Sequence, residues 1–514
     1  MSYPPRSPAP RTPAAAPLAT ALSVAIIASL AACAVGPNFK RPKPPDATGY
    51  GSASTRTETV AAESAGGGEQ RFVSGMDIPG QWWTLFKSPQ LDHLVEQALK
   101  ANPDVGAAQA ALKQAHELYS AQWTSFFPVV QGEFNGTRAK NAIGTISNPT
   151  SLPQANPYYN LYTAQLTLSY APDVFGATRR AVEQAKAQEN GARFQLEATY
   201  LTLSSNVVVT AVQEASLRGQ IDATARLLDV QHELTDKVKH QRSLGSASDL
   251  DVLAQESAEA QTAQTLPPLQ KQLGQTRDAL TALIGRLPSS EPPEAFRLSD
   301  LTLPTDLPVS LPSKLVEQRP DVRQAEENMH AASAAVGVAI ADMLPQFTID
   351  GDIGSSALKL GQLLSPYTGF WDAGASLTQT LFDAGALIHK KRAAEAALDQ
   401  AGAQYRGAVI LACQNVADTL RALQSDADTL KAGAEAERAA KRAFDLARRQ
   451  RELGTISMVA VLNAEQAYQQ AELAYVQAEA SRYSDTAGLF QALGGGWWNR
   501  TEEPRYERSG PAGE

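Results

Sequence analysis

The chain is predicted to be mainly α-helical with a membrane β component: long helical hairpins in two copies, joined to four strands long enough to cross a bilayer. Three observations predict this. First, the sequence repeats itself. Gln241-Arg242-Ser243-Leu244-Gly245-Ser246-Ala247-Ser248 returns 209 residues later as Gln450-Arg451-Glu452-Leu453-Gly454-Thr455-Ile456-Ser457, and ten of the 26 positions counted from Lys237 and from Leu446 are identical. Second, proline is absent from Asp173 to Leu266 and from Tyr367 to Glu503. Proline costs about 3 kcal/mol inside a helix, so such stretches rich in Ala, Gln, Glu, Arg and Leu are strong helix signals. Third, four short segments alternate apolar and polar residues as two-faced strands do.

The N-terminus reads as a targeting segment. Arg6 and Arg11 precede an apolar run from Leu18 to Ala32 that ends in Leu30-Ala31-Ala32-Cys33. A small-residue cleavage site followed by cysteine resembles the bacterial lipobox, which implies cleavage before Cys33 and acylation there. Ala34, not Asp, follows the cysteine, and the resemblance to such lipoproteins implies outer-membrane over inner-membrane retention. The expected organisation is a lipoprotein leader over 1–32, an extended segment over 33–88, a first repeat over 89–287, a connection over 288–312, a second repeat over 313–494 and a tail over 495–514. The repeat also pairs Val252-Leu253 with Val461-Leu462, Gly285 with Gly494 and Pro103-Asp104-Val105 with Pro320-Asp321-Val322.

From Ala386 to Arg451 no strong turn signal occurs, and as one helix this stretch would run about 100 Å. Val409, Ala412, Val416, Leu420, Leu423, Ala427, Leu430 and Ala434 step by three or four, a seam of coiled-coil character. Leu453-Gly454-Thr455 ends the rod with a C-cap glycine, and helical periodicity resumes at Val459, Leu462 and Gln466. Each repeat therefore holds a hairpin, with tips at Gly245 and Gly454.

The strand segments are 129–138, 161–170, 346–354 and 371–381, each pair flanking a Gly/Ser/Asn/Pro-rich connection at 139–157 and 355–368. Their length suits a membrane barrel. Four strands cannot close one, and an open edge in lipid leaves backbone groups unpaired, so membrane embedding demands oligomerisation: two copies supply eight strands, three supply twelve.

A net charge of −9, with Lys and Arg dispersed, argues against a nucleic-acid binder. The histidines His93, His116, His232, His240, His330 and His389 are scattered without metal-ligand spacing, and no nucleophile motif or phosphate-cradling loop is present, so neither catalysis nor a metal or other cofactor is expected. Cys413 reads as a small filler on a helix.

Taken in order, Cys33-Ala34-Val35-Gly36-Pro37, Trp82-Trp83-Thr84-Leu85-Phe86, Asn102-Pro103-Asp104-Val105, the two Leu-Gly tips, and Leu266-Pro267-Pro268-Leu269 ending in Leu283-Ile284-Gly285 are similar to the outer membrane factor family, the TolC-like channels, and within it to the NodT-type efflux lipoproteins. That resemblance implies a homotrimer with a twelve-stranded outer-membrane barrel, four strands per chain, continued by a long helical periplasmic tunnel with a small mixed belt. It implies the passive exit duct of a tripartite pump, working with a periplasmic adaptor protein and an inner-membrane transporter of the resistance-nodulation-division type, and anchored in outer-membrane lipid through Cys33. By the same resemblance, Leu244, Gly245, Ser246, Leu453, Gly454 and Thr455 dock the adaptor. The family narrows the tunnel near this end with acidic rings. Asp249 and Asp251 are candidates here, facing an axis or merely solvated, with Arg242 and Arg451 placed to latch them. Ala460 and Asn463 stand where the second repeat would need acids. The competing readings are a duct for type I protein secretion and a non-channel coiled-coil lipoprotein.

Overall fold

The computed structural model describes residues 34–51, 56–140 and 158–500. The leader, Cys33 and most of the connection at 139–157 and of the tail at 495–514 lie outside the described residues. The chain divides into two compact units. The first comprises 34–40, Ala115–Glu189 and Glu327–Gly402; the second comprises Arg41–Gln114, Asn190–Glu326 and 403–500. The elements, in chain order, are β1 (Arg71–Ser74), α1 (Pro89–Ala101), α2 (Pro103–Trp123), β2 (Val129–Lys140), β3 (Tyr158–Tyr170), α3 (Ala177–Ser243), α4 (Asp249–Leu283), β4 (Asp306–Val309), α5 (Pro312–Gln318), α6 (Pro320–Ala341), β5 (Gln346–Ala357), β6 (Gly369–Thr378), α7 (Ala386–Glu452) and α8 (Met458–Ala492).

The first unit is built on an antiparallel sheet of order β2-β3-β5-β6. Its register sorts the side chains into two faces, because residues directly opposite one another point the same way. Val130 pairs with Leu168, Leu166 with Ile353 and Ile353 with Trp371, so these share a face with Phe134, Ile349, Phe347 and Leu377. The opposite face carries Gln131, Glu133, Thr163, Gln165, Thr167, Ser169, Asp350, Asp352 and Asp372. On it Ser169 Oγ donates to Asp350 Oδ1 at 2.9 Å and Gln165 Nε2 to Glu133 Oε2 at 3.3 Å. The apolar face is bare, with Phe134 61% and Trp371 76% exposed. A sheet with one exposed greasy face and one hydrogen-bonded polar face is what a barrel wall between lipid and water requires. Its outer strands, β2 and β6, have free edges among the described residues.

The strands differ from the sequence expectation at their ends. β2, β3 and β5 extend further into the hairpin connections, whereas β6 stops at Thr378 and not at 381. Gln379 turns its amide onto the Met343 carbonyl at 3.1 Å, and Asp383 accepts from the backbone N–H groups of Gly385 (2.8 Å) and Leu387 (2.7 Å), which caps the start of α7 at Ala386, where the sequence places it. Leu381 and Phe382 are left outside the sheet and almost fully exposed.

Helical hairpins dominate the second unit. α3 and α7, which begin in the first, are 67 residues each, and α4 and α8 are 35 each. The expected α7 seam is buried from Ala412 through Ala434, with Val409 half-buried. The α8 seam is one residue out of phase with the sequence reading: Met458, Val461 and Glu465 are buried, while Val459 is 61% exposed. The cause is Glu465, a carboxylate in a core position that breaks the apolar pattern. Pro267 and Pro268 fall inside α4, past the proline-free stretch at which the sequence placed the rigid helix. Both are exposed, so the backbone carbonyls that lose their N–H partners face solvent.

A smaller core wraps this bundle. β1 pairs in parallel with β4, Trp82 stacks on Phe490 with centroids 5.4 Å apart, and Phe86, Leu91, Leu94, Phe296 and Leu315 are fully buried. Arg482 of α8 fastens the strap that leads into β1. Its guanidinium is fully buried and donates to the carbonyls of Gly66 (3.0 Å) and Gly68 (2.8 Å), to Thr59 Oγ1 (3.0 Å) and to Gln70 Oε1 (3.2 Å). Across the same unit, buried Glu214 holds Arg218 at 2.7 Å and Arg277 at 2.8 Å, tying α3 to α4.

Candidate functional site: the hairpin tips

Both tips are built the same way from the same residues. After α3, Gly245 adopts φ +76° and its N–H bonds to the Arg242 carbonyl at 2.9 Å, while the Ser246 N–H reaches the Gln241 carbonyl at 2.9 Å. After α7, Gly454 adopts φ +73°, bonded to Arg451, and Thr455 bonds to Gln450, each at 2.9 Å. This is the paired closure that satisfies the last helical carbonyls and needs glycine in the left-handed region. Ser246 and Thr455 add hydroxyl bonds to the carbonyls of Gln241 and Gln450. The result pushes one leucine outward at each tip: Leu244 is 70% and Leu453 78% exposed. Two rigid loops thus present equivalent apolar points.

The helices leaving the tips are capped unequally. Ser248 and Asp251 form a reciprocal capping box: the Asp251 N–H donates to Ser248 Oγ at 3.1 Å and the Ser248 N–H to Asp251 Oδ2 at 3.0 Å. These bonds to Ser248, with a smaller pull from Arg451, hold the Asp251 carboxyl below its ordinary range. Ser457 repeats only half of this, accepting from Ala460 N at 3.4 Å, since Ala460 has no carboxylate to return. Asp249 is ion-paired to Arg242, both more than half exposed, a pair worth about 0–1 kcal/mol. Arg451 donates to the Ile456 carbonyl of its own tip at 3.4 Å, and Asn463 is exposed on α8.

Behind the tips an apolar cluster joins the hairpins: Leu234 and Val238 of α3, Phe444 and Ala447 of α7, and Met458 and Val461 of α8. Glu465, about one turn beyond Val461 on α8, was missed by the sequence reading. It is 2% exposed, and neither carboxylate oxygen accepts a hydrogen bond. Burial pushes it up to about 7, against smaller opposing pulls from the Gln231 amide and Arg448. The spacing 458, 461, 465, 468 holds the signal that could have found it: an acid at a seam position.

Among the described residues no group of His, Cys, Asp and Glu has metal-site geometry. No described helix is long and apolar enough to cross a membrane.

Comparison with known proteins agrees with this architecture. The family model described as outer membrane efflux protein matches residues 94–286 and 311–495. The chain is 29% identical over 423 residues to the pyoverdine export outer membrane protein OpmQ of Pseudomonas putida, covering 82% of this chain and 89% of that one. It is 25% identical to the toluene efflux pump outer membrane protein TtgC of Pseudomonas putida, covering 95% and 98%. Among solved structures, the outer-membrane channel OprN superposes with a TM-score of 0.79 at 27% identity, covering 90% of this chain and all of that one. The Campylobacter jejuni CmeC channel shares the fold, with a TM-score of 0.78 at 22% identity, over 90% of this chain and 95% of that one. With both repeats matched and a two-faced membrane sheet present, the non-channel scaffold reading is set aside, and the chain belongs to the outer membrane efflux protein family: it is an outer-membrane channel of an efflux system.

Proposed function

We propose that this channel works as a homotrimer whose six Gly-capped tips dock a periplasmic adaptor, which joins it to an inner-membrane transporter of the resistance-nodulation-division type. The observation that carries the reading is the pair of equivalent tips, each offering an exposed leucine on a loop fixed by its own backbone hydrogen bonds. Four strands with free edges at β2 and β6 need further copies to close, and the trimeric reading supplies them as a twelve-stranded wall. The duct is passive and has no catalytic role. Asp249, Asp251 and the arginines beside them shape the charge at the tip end, with Asp251 spending its bonding capacity on the helix cap. Small molecules are the proposed cargo, in line with the pyoverdine and toluene exporters it is similar to.

A photo-crosslinker placed at Leu244 or Leu453 is expected to capture a periplasmic adaptor protein, and bifunctional cross-linking in mild detergent should stop at three copies. Crosslinks to the adaptor from neither tip, or a ladder ending at two copies, would sink the model.

Lipid anchoring at Cys33 is part of the same proposal. Ala34, its covalent neighbour, packs so closely on Gly176 that a Cβ there would come within 2.6 Å of it, and the φ of +84° favours glycine as well. Arg180, 4% exposed, holds the next residues through the carbonyls of Val35 (3.0 Å) and Gly36 (3.4 Å) and through Asn38 Oδ1 (2.7 Å), and Phe39 stacks on His330 at 4.3 Å. The segment after Cys33 is thereby fixed at the helix-strand junction of the first unit, close to Phe175, which contacts Phe347 of β5. Metabolic labelling with palmitate should mark the wild-type chain and leave Cys33→Ala unmarked; a labelled variant refutes the anchor.

A further inference from the structure

We propose that the hairpin end of the sheet is a binding site for phosphate-bearing lipid headgroups of the outer leaflet, formed by Arg138, Lys140 and Lys359. The inference rests on the reading of the sheet as a membrane wall. The helices α2, α3, α6 and α7 all join the strands at one end, so the opposite end, where β2 turns to β3 and β5 to β6, is the extracellular one.

Register fixes where lipid stops. Gly136, Tyr162 and Ala357 stand level across three strands, at the top of the apolar face. From Phe347 to Ala357 that face runs ten residues, roughly 33 Å along the strand. At the usual inclination of about 40° this is close to the ~25 Å apolar band of outer-membrane barrels. The next residues of β2 on this same lipid-facing side are Arg138 and Lys140, paired with Asn160 and Tyr158. Lys140 Nζ lies 5.2 Å from the Tyr158 ring centre. Lys359 follows two residues beyond Ala357 and is exposed.

The charge at this end has a single sign. From Arg138 to Leu161 and from Ser355 to Gly369 the sequence contains three cations and no Asp or Glu. The four carboxylates of the sheet, Glu133, Asp350, Asp352 and Asp372, all lie lower and on the other face. Among the described residues none of the three cations is ion-paired. Leu360, Leu364 and Tyr367 beside Lys359 are exposed apolar groups at the same end. Cations immediately above a membrane-length apolar face, with greasy neighbours and no internal counter-charge, match an anionic headgroup whose acyl chains lie against the strands below. A soluble anion would gain nothing from that apolar continuity.

The test is lipid titration of the full chain in detergent by native mass spectrometry, using lipid A, its dephosphorylated form and inorganic phosphate as probes. Wild type should hold lipid A, and the combined variant Arg138→Gln, Lys140→Gln, Lys359→Gln should bind it about a hundredfold more weakly at equal oligomer content. Equal lipid A binding by the variant, equal binding of dephosphorylated lipid, or displacement by equimolar inorganic phosphate would each overturn the proposal. Should the combined variant fail to assemble, Lys140→Gln and Lys359→Gln are read singly, each expected to weaken binding about fivefold, and no change in either overturns it. Wild type that does not fractionate with outer membranes would instead remove the membrane-wall reading itself.

Discussion

Replacing Arg482 with methionine is expected to destabilise the second unit by about 3–5 kcal/mol, the cost of removing one side of a buried charged network. Methionine approximates the arginine stem in volume, so packing changes little. What changes is bonding: two carbonyls, Thr59 Oγ1 and Gln70 Oε1 lose their donor in a site closed to water. Asp426, held above the ordinary carboxylate range by burial and by the neighbouring Asp485, also loses its nearby positive charge. Chemical denaturation followed by Trp82 and Trp83 fluorescence reads the effect, since both indoles are buried in the same core. Arg482→Lys should fall between, keeping the charge but not the fork of donors. Wild-type midpoints for Arg482→Met would show that the strap is held by β1 and β4 alone.

The second large effect is a pH dependence carried by Glu465. Its carboxyl sits at about 7 in the folded chain against 4.5 as the ordinary value, so the folded state binds the proton more tightly than the unfolded one. Stability from this group is therefore full below about pH 4.5, falls as pH rises, and levels off above about pH 7, a loss on the order of 3 kcal/mol. Glu465→Gln keeps the shape and removes the titration, so its denaturation midpoint should exceed that of wild type at pH 8 and match it near pH 4. Parallel pH profiles for the two proteins would assign the pH response elsewhere. The location gives the effect a consequence for the channel, because Glu465 sits about one turn from Val461 of the cluster that joins the hairpins behind their tips.

Much of the fold was written in local chemistry. Gly245 and Gly454 mark the tips because only glycine takes the left-handed step without strain, and proline-free length marks the rods. Alternation marked the four strands, because the two faces of a barrel wall meet opposite solvents. Less legible were features decided by tertiary neighbours. Strand ends depend on cross-strand partners such as Lys140 with Tyr158, which no single segment reveals. The phase of α8 was hidden by Glu465, since a charge at a seam position reads as surface. Pro267 and Pro268 read as a boundary, yet the packing of α4 on either side carries the helix through them. At the candidate site the tip leucines were visible from the repeat, whereas Asp251 reads as a free acid until its capping box is seen.

The equal helix lengths of the two repeats, 67 and 67 and then 35 and 35, restrict how such a chain can change. A substitution leaves the lengths intact. One residue inserted in α3 alone would lift its tip by about 1.5 Å and turn the following face by about 100° relative to α7. A deletion would do the reverse. Variation by length is therefore open to the extracellular connections and the termini, while the rods are free to vary only by composition, or by matched changes of whole turns in both halves at once.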